Sequence, residues 1–384
     1  MMTRRQNFLA TLRRQAHEYL PAAFVIDNMN YPGGFGEFDP ERAFEVEYSL
    51  ALQRRLGLDV FFRIAPNGLK ETEAARFYRA DPAGGGVYET PGGTLHGGAP
   101  AAAGEPRLVH GEEVLLKRAE DWEVWAWVWE QHRYEADEAA RAECARDLEV
   151  IGEDGVLYVV GPATPIMDAV RSWAGIENVV YGLCDFLELI ENTLAVAAER
   201  CCEQYEVICA QTPAELVVLW DDATTTLLSR AMFERYSVPV LRRYAEIAHR
   251  HGKVLVNHTC GKMRGFADLY ATAEQDALDW LAVPPTGDMT LALAQELWQG
   301  RVTPMVTPDP STVRHGRPEE VAAHLEGILE GADLGNAVVM LPCPQGTPRA
   351  TAEAMREVVG RVGGRAGGEV DSGQSTVDRG DGSD

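Results

Sequence analysis

Eight short apolar runs, separated by longer polar or helix-patterned segments, are the feature that most restricts how this sequence can fold. They are rich in β-branched and aromatic residues, and several are continuously apolar rather than alternating. That pattern is typical of strands covered on both faces, and parallel sheets are built from such strands. The runs are AAFVID (22–27), DVFFRI (59–64), VLYVVG (156–161), LVVLWD (216–221), KVLVNHT (253–259), LDWLAV (278–283), VTPMVT (302–307) and AVVMLPC (337–343).

Helical patterns lie between the later runs. Apolar residues recur at helical spacing between Ser229, which suits an N-cap, and Gly252, which suits a helix end. The segments RPEEVAAHLEGILEGA and TPRATAEAMREVVGRV each place a proline near the start and a glycine near the end. Strand and helix alternating to a count near eight favour a (β/α)8 barrel over an open doubly wound sheet. The sequence therefore predicts an α/β protein, a single TIM barrel with an N-terminal helical extension.

Two segments are expected to lie outside the packed barrel. The stretch YETPGGTLHGGAPAAAGEPRLVHG, residues 88–111, is rich in Gly, Pro and Ala and is predicted to be an insertion over one barrel face, where it could act as a lid. From Gly363 onward the chain is poor in apolar residues and dense in Gly, Ser and Asp. Such a segment cannot bury enough surface to fold. We therefore predict a barrel domain over residues 1–362 and a disordered tail over residues 363–384.

Bulk charge narrows the range of partners. The formal net charge of −24 disfavours binding to a nucleic-acid backbone or an anionic membrane face. The N-terminus shows no apolar stretch of signal-peptide length, and no run approaches the about 18 apolar residues of a membrane span. Seven cysteines, an odd number, fit a reducing compartment better than a disulfide framework. A cytoplasmic protein acting on a small molecule is the expectation.

The segment VLVNHTCGKM contains the strongest candidate site. If the strand stays extended to its end, His258 and Cys260 project from the same face, at the carboxyl end of a barrel strand, where active sites of this fold lie. Imidazole and thiolate suit zinc, and a catalytic zinc usually takes three protein ligands. Cys343 is the best third candidate because it also ends an apolar run and precedes a helix. On spacing alone the signal is weak, and a histidine satisfied by the backbone next to a buried cysteine is the commoner explanation of such a pair.

Further polar residues follow other strand ends. Asp221 and Asp222 end LVVLWDD and are candidate catalytic residues, either bonding the histidine and substrate or capping the following helix. Asp27 follows the first run and is a candidate substrate-binding residue, or a solvated strand end. Arg314 and Arg317 follow the seventh run, where barrels often bind anions, or they are simply solvated.

Several of these segments together resemble a known family. The chain is similar to the uroporphyrinogen decarboxylase superfamily and, within it, to the zinc-dependent branch of corrinoid-linked methyltransferases such as the coenzyme M methyltransferases. In that branch an H-x-C pair and a distant cysteine bind zinc, which map here onto His258, Cys260 and Cys343. The segments that carry the resemblance are TRRQNFLATLRRQ, YETPGGTL, WDDATTTLLSRAMFERYSVPVLRRYAEIAHRHGKVLVNHTCG, VPPTGDMTLALAQELWQGRV and MLPCPQGTPRATAEAMREVV.

The resemblance implies a function. It implies a zinc-dependent methyltransferase that moves a methyl group between a corrinoid, carried by a partner protein, and a small thiol or methylated substrate; a homodimer is common in similar families. A decarboxylase would need arginines near its first strand to hold many carboxylates, and none lies between Ala22 and Glu41. Two alternatives stay open: a zinc-independent decarboxylase or lyase of the same superfamily, and a non-catalytic barrel that binds a corrinoid or another ligand.

Overall fold

Continuously apolar strands form the centre of the molecule in the computed structural model, which describes residues 1–25, 46–63, 67–80, 85–97, 114–344 and 347–364. The strands are β1 (Ala22–Val25), β2 (Val60–Arg63), β3 (Leu69–Glu71), β4 (Tyr78–Ala80), β5 (Gly86–Thr90), β6 (Gly93–Gly97), β7 (Tyr134–Ala136), β8 (Gly155–Gly161), β9 (Leu216–Trp220), β10 (Val254–His258), β11 (Ala277–Ala282), β12 (Thr303–Thr307) and β13 (Val338–Pro342). Each of the eight predicted runs overlaps one strand of the central sheet, with β8 and β11 beginning one residue earlier than predicted.

That central sheet closes into a barrel. Its strands pair in parallel in the order β1-β13-β12-β11-β10-β9-β8-β2, and a bridge between Ala23 and Asp59 joins the two ends. Eight parallel strands joined by helices form the predicted (β/α)8 TIM barrel, so the predicted fold class is confirmed.

Helices surround the barrel. They are α1 (Arg4–Leu12), α2 (Val46–Leu56), α3 (Ala119–Gln131), α4 (Glu138–Ile151), α5 (Pro165–Asp168), α6 (Gly175–Asp185), α7 (Leu187–Gln211), α8 (Arg230–Met232), α9 (Val238–Arg250), α10 (Ala267–Tyr270), α11 (Leu291–Trp298), α12 (Pro310–His315), α13 (Pro318–Leu329) and α14 (Arg349–Val362). Single π-helical turns precede α6 and α9, at Ala169–Trp173 and Phe233–Ser237. Ser229 caps α8 by accepting a hydrogen bond from the Met232 amide, as predicted.

Alternation along the strands divides the core into two layers. Alternate residues such as Val254 and Val256 of β10 pack inside the barrel, while Leu255 packs outward against the helices. Helix α1, the predicted N-terminal extension, inserts Phe8 and Leu12 into the interior cluster, where both are fully buried. One end of the barrel is thereby closed by apolar side chains, which leaves the carboxyl end of the strands for chemistry.

The segment between β2 and β8 contains two small sheets that are separate from the barrel sheet. Strands β4, β5 and β6 form an antiparallel sheet, and β3 pairs with β7. The prediction of an unpacked insertion from residue 88 was wrong for its first part. Residues 88–97 belong to a hairpin whose Leu95 is buried and whose Tyr88 ring lies 5.0 Å from that of Trp125. Pro91 and Gly92 form only its turn, and β-forming residues flank them.

Other sequence expectations have different outcomes. The tryptophans of α3, Trp122, Trp125 and Trp129, are buried in the core. Most of the predicted tail lies outside the described residues, and so does Asp27. Gly363, the first predicted tail residue, accepts a hydrogen bond from the Leu20 amide at 3.3 Å. Among the helices of the described residues, none is long and apolar enough to cross a membrane.

Candidate metal centre at the carboxyl end of the barrel

His258 lies at the carboxyl end of β10 and faces the barrel interior. It follows the interior residues Val254 and Val256 at the two-residue spacing of a strand. Its neighbours in register are Trp220 at the end of β9 and Asp279 in β11. The histidine therefore stands at the last position of the strand and points to the mouth, and its role as a zinc ligand stays a prediction.

Both imidazole nitrogens of His258 have close partners. Nδ1 lies 2.8 Å from Asp279 Oδ2, and Nε2 lies 3.2 Å from Cys260 Sγ. A ring whose Nδ1–H donates to a carboxylate presents its Nε2 lone pair, as histidine ligands of metals usually do. Burial lowers the pKa of His258, but Cys260 and Asp279 outweigh this effect and leave the pKa well above its ordinary value. The imidazole therefore holds its proton more tightly than a free histidine does.

Cys260 follows the strand and is positioned by the turn after it. Gly261 adopts a φ of 89°, a left-handed conformation that glycine reaches without steric cost, so the chain turns immediately after the cysteine. The Lys262 carbonyl then accepts a hydrogen bond from the Thr225 amide at 2.8 Å, which fastens this turn to the loop after β9. The thiol is only partly buried, so it remains reachable from the mouth.

Asp222 completes a group of three metal-ligating side chains. One ligand atom each from Asp222, His258 and Cys260 lie within 4.8 Å of one another. The nearest carboxylate oxygen, Oδ1, is 3.8 Å from His258 Nε2. Oxygen, nitrogen and sulfur donors in this combination fit a zinc ion, and three protein ligands leave one coordination position for a substrate. The residues at the mouth therefore fit the metal that the sequence predicted, with a carboxylate as the third member.

The backbone and a single arginine hold Asp222 in place. Asp222 has a φ of 51°, unusual for a residue with a side chain, and its amide donates to the His258 carbonyl at 3.1 Å. Its other oxygen, Oδ2, accepts from Arg171 Nη1 at 2.7 Å, and Arg171 Nη2 lies 3.4 Å from Asp168. Arg171 belongs to the π-helical turn before α6, and such turns often occur at functional sites. Sequence reasoning missed Arg171, because nothing in the local pattern indicates the π-turn.

Asp221 has a different environment from its neighbour. It is fully buried, and its Oδ1 accepts hydrogen bonds from the Thr164 amide at 2.9 Å and the Thr164 hydroxyl at 2.6 Å. Burial raises the pKa of Asp221 to about 6, even though the Thr164 bonds oppose the rise. Its side chain joins β9 to the start of α5 rather than to the three-residue group. Of the predicted pair, Asp222 therefore lies at the candidate metal centre and Asp221 behind it.

The structure does not bring Cys343 into this group. Cys343 follows β13, is fully buried, and packs in the outer core cluster together with Val339 and Leu341, while Val338 and Met340 pack inside the barrel. Burial raises the pKa of its thiol. The group of three that could hold a metal, as found among the described residues, does not include Cys343. Its sequence-derived role as a zinc ligand stays a prediction.

The two predicted anion-binding arginines lie in the loop region after β12. Arg314 is exposed in the last turn of α12. Arg317 precedes α13, where its guanidinium lies 2.9 Å from Glu319 and 2.7 Å from Glu320. The charge of Arg317 is therefore already balanced by its own helix, and the arginine that contacts the candidate metal centre is Arg171. A role for Arg314 and Arg317 in substrate binding stays a prediction.

Asp279 and two tryptophans were also missed by sequence reasoning. Asp279 is a charged residue inside an otherwise apolar strand, a signal that could have marked it. Trp220 and Trp280 place their ring centroids 6.4 Å and 5.8 Å from that of His258, and both are partly exposed. The mouth thus combines one imidazole, one thiol and two carboxylates with two indole rings.

Comparisons with known proteins agree with this architecture. A methyltransferase from Methanosarcina mazei is 17% identical, with 94% of this chain and 99% of that one covered and a TM-score of 0.58. A B12-independent methionine synthase from Shewanella sp. W3-18-1 is 12% identical, with coverage of 90% and 98% and a TM-score of 0.48. The first similarity shows a shared fold, and the second is too low to carry an argument. No curated protein matches the chain. The family model for uroporphyrinogen decarboxylase (URO-D) matches residues 131–362, more than half of the sequence, and the chain therefore belongs to the URO-D family.

Proposed function

We propose that this protein is a zinc-dependent methyltransferase that moves a methyl group between a corrinoid on a partner protein and a small thiol or methylated substrate. The observation that carries the proposal is the convergence of Asp222, His258 and Cys260 at the mouth of the barrel. Membership of a family of enzymes and a fold shared with a methyltransferase support the same class. The direction of transfer is not part of this proposal.

The chain's own residues would prepare the site for the metal. Asp279 keeps the proton on His258 Nδ1 and so leaves Nε2 for the metal. Arg171 holds one oxygen of Asp222, which leaves the other directed toward the imidazole. Zinc bound there would lower the pKa of a coordinated thiol and supply a thiolate at neutral pH. Because Cys260 and His258 must lose their protons to bind, metal uptake is expected to release protons.

The charge of the mouth argues against the decarboxylase reaction that gives the family its name. The carboxylates of Asp222 and Asp279 lie next to His258, and Arg171 is already paired with Asp222 and Asp168. A substrate that carries many carboxylates would meet repulsion there rather than the bidentate arginine contacts that such groups need. Methyl transfer to a thiol or from a methylated compound imposes no such requirement.

Metal analysis of purified variants tests the proposal. Wild-type protein should hold about one zinc per chain, and Cys260→Ser and Asp222→Asn should lose most of it, since each removes one of three ligands. Cys343→Ser should keep zinc, and Cys184→Ser, which alters an exposed free cysteine, serves as the matched control. Metal-free wild-type protein would refute the proposal. Loss of zinc in Cys343→Ser with retention in Asp222→Asn would instead restore the sequence-derived ligand set.

A transfer assay tests the reaction itself. Zinc-loaded protein should demethylate free methylcobalamin in the presence of a panel of small thiols, or methylate reduced cobalamin from a panel of methylated compounds, as followed by the corrinoid absorbance. Cys260→Ser should abolish this activity. Activity that survives in the Cys260→Ser, Cys343→Ser double variant would favour a zinc-independent reaction.

A further inference from the structure

Two indole rings lie beside the candidate metal centre, and the fold places both of them there by different means. Trp220 is the last residue of β9, is in register with His258, and packs on the interior cluster of the barrel. Its ring centroid is 6.4 Å from that of His258. Its position follows from ordinary strand alternation, because it comes two residues after the interior residue Val218.

Trp280 reaches the same imidazole only through a distortion of β11. In a regular strand consecutive residues point to opposite faces, so Asp279 and Trp280 could not both contact one side chain inside the barrel. Here Asp279 bonds His258 Nδ1, and the Trp280 ring centroid lies 5.8 Å from the His258 ring. The register with β12 shifts between Asp279 and Leu281, and Trp280 adopts a φ of 64°.

That distortion is unfavourable in itself. A bulky residue at positive φ is an outlier that persists only where its surroundings hold it, and such outliers concentrate at functional sites. A glycine at position 280 would adopt the same backbone without steric cost, yet the chain has a tryptophan there. The strained backbone and the indole together indicate that the ring is needed at the mouth.

Two carboxylates lie around the two rings, together with the imidazole of His258 and the guanidinium of Arg171. Asp222 and Asp279 contribute carboxylates, and Cys260 contributes a thiol next to the imidazole. The guanidinium of Arg171 is shared between Asp222 and Asp168. Indole faces attract cations through their quadrupole, and Trp is the best of the aromatic residues in this respect. Carboxylates next to indole faces form the environment that recognises methylated cations, which have no N–H group to donate.

We propose that the small substrate of this site carries an onium group, a quaternary ammonium or a sulfonium, held between Trp220, Trp280 and the acidic groups of the mouth. This inference rests on the proposed function, which it narrows to a methylated, cationic small molecule. Methyl groups on the positive centre would contact the ring faces, while the carboxylates balance the charge. A neutral compound of the same shape would fill the space but lose the cation–π attraction.

The test is a binding measurement on the full chain by isothermal titration calorimetry. The probes are choline and its neutral carbon isostere, in which a tert-butyl group replaces the trimethylammonium group. Choline should bind about 10-fold more tightly than the isostere, the difference expected from one or two cation–π contacts. Equal affinities, or no binding of choline, would overturn the inference.

Variants test which of the two indole rings produces the preference for choline. Trp280→Gly removes the indole while fitting the positive φ, so it should fold well and lose about 10-fold in choline affinity but little in isostere affinity. Trp220→Leu should likewise weaken choline binding more than isostere binding, and Trp280→Phe should keep part of the preference for choline. Tyr181→Ala, which removes an exposed ring of α6, is the matched control and should bind like wild type. Unchanged choline affinity in both tryptophan variants would contradict the inference.

Failure of this inference can be told apart from failure of the proposed function. Zinc content is measured on the same samples. Zinc-loaded protein that does not prefer choline would refute the onium substrate alone. Zinc-free protein that still prefers choline, and loses the preference in Trp280→Gly, would refute the zinc-dependent function and leave the cationic site standing.

Discussion

At the scale of single residues, His258 is the centre of the candidate site. Asp279 on one nitrogen and Cys260 with Asp222 on the other fix which lone pair is available and where it points. The partner of the distal nitrogen matters nearly as much as a ligand itself, since it sets both the tautomer and the ring orientation. The orientation and tautomer of the imidazole are therefore set before a metal binds.

Asp279→Asn tests this organisation. The amide keeps the shape of the carboxylate but removes its charge, so zinc affinity should fall by about 10-fold. Competition with a metal chelator measures the affinity. Asp288→Asn is the control, because the Asp288 carboxylate lies in the next loop and accepts from the Met263 and Arg264 amides. Zinc affinity that is equal in Asp279→Asn and wild type would show that Asp279 does not position the ligand.

At the scale of elements, the alternation of side chains along β10 predicted where the site lies. Segments with irregular backbone supply its other residues. His258 and Cys260 could be found because they stand two residues apart where an apolar run ends, which predicts the carboxyl end of a barrel strand. Asp222 depends on its positive φ and on a π-turn that carries Arg171, and Trp280 depends on a bulge in β11. None of these is encoded in hydrophobic periodicity. The eight strands, by contrast, were all predictable, because burial on both faces leaves a continuous apolar run.

Three elements also meet at the opposite end of the barrel, around Asp276. Its carboxylate accepts from the Leu255 amide of β10 at 2.9 Å, lies 2.9 Å from His249 Nε2 of α9, and pairs with Arg14 at 3.3 Å. The hydrogen bond to Asp276 raises the pKa of His249, against the effects of burial and of Arg14. The folded protein therefore holds this proton more tightly than the unfolded chain.

His249→Gln should change how the free energy of unfolding depends on pH, because it removes the group that binds this proton. A raised pKa gives a stabilisation that is complete below the ordinary value of 6.5 and is lost as the pH rises through the folded value. Because His249 is exposed over almost half of its side chain, the effect should stay below about 1 kcal/mol. Urea titrations should show the variant less stable at about pH 6 and equal to wild type at about pH 9. A difference that grows with pH would contradict the assignment, and His17→Gln, at a partly buried histidine, provides the control.

At the scale of the whole molecule, stability and chemistry lie at opposite ends of one barrel. Phe8 and Leu12 of α1 close the amino end of the strands, and the Phe8 ring lies 5.9 Å from that of Phe61 in β2. Among the described residues, the group that could hold a metal lies at the carboxyl end, as expected for a TIM-barrel enzyme. Changes at the closed end should therefore alter folding without altering the metal centre.

Phe8→Ala tests this separation. Removing a fully buried aromatic ring should cost about 3–5 kcal/mol of unfolding free energy, while zinc affinity at a temperature where the variant is folded should not change. Leu9→Ala, at the next and only partly buried position, should cost less. A large loss of zinc affinity in folded Phe8→Ala would show that the two ends are coupled.

X-ray absorption at the zinc edge of the zinc-loaded protein tests the central claim most directly, because it counts the sulfur ligands. In the absence of substrate, the spectrum should show a single sulfur at about 2.3 Å, from Cys260, with nitrogen and oxygen ligands from His258, Asp222 and solvent. A spectrum with two sulfur ligands would place a second cysteine at the metal and contradict the assignment of Asp222.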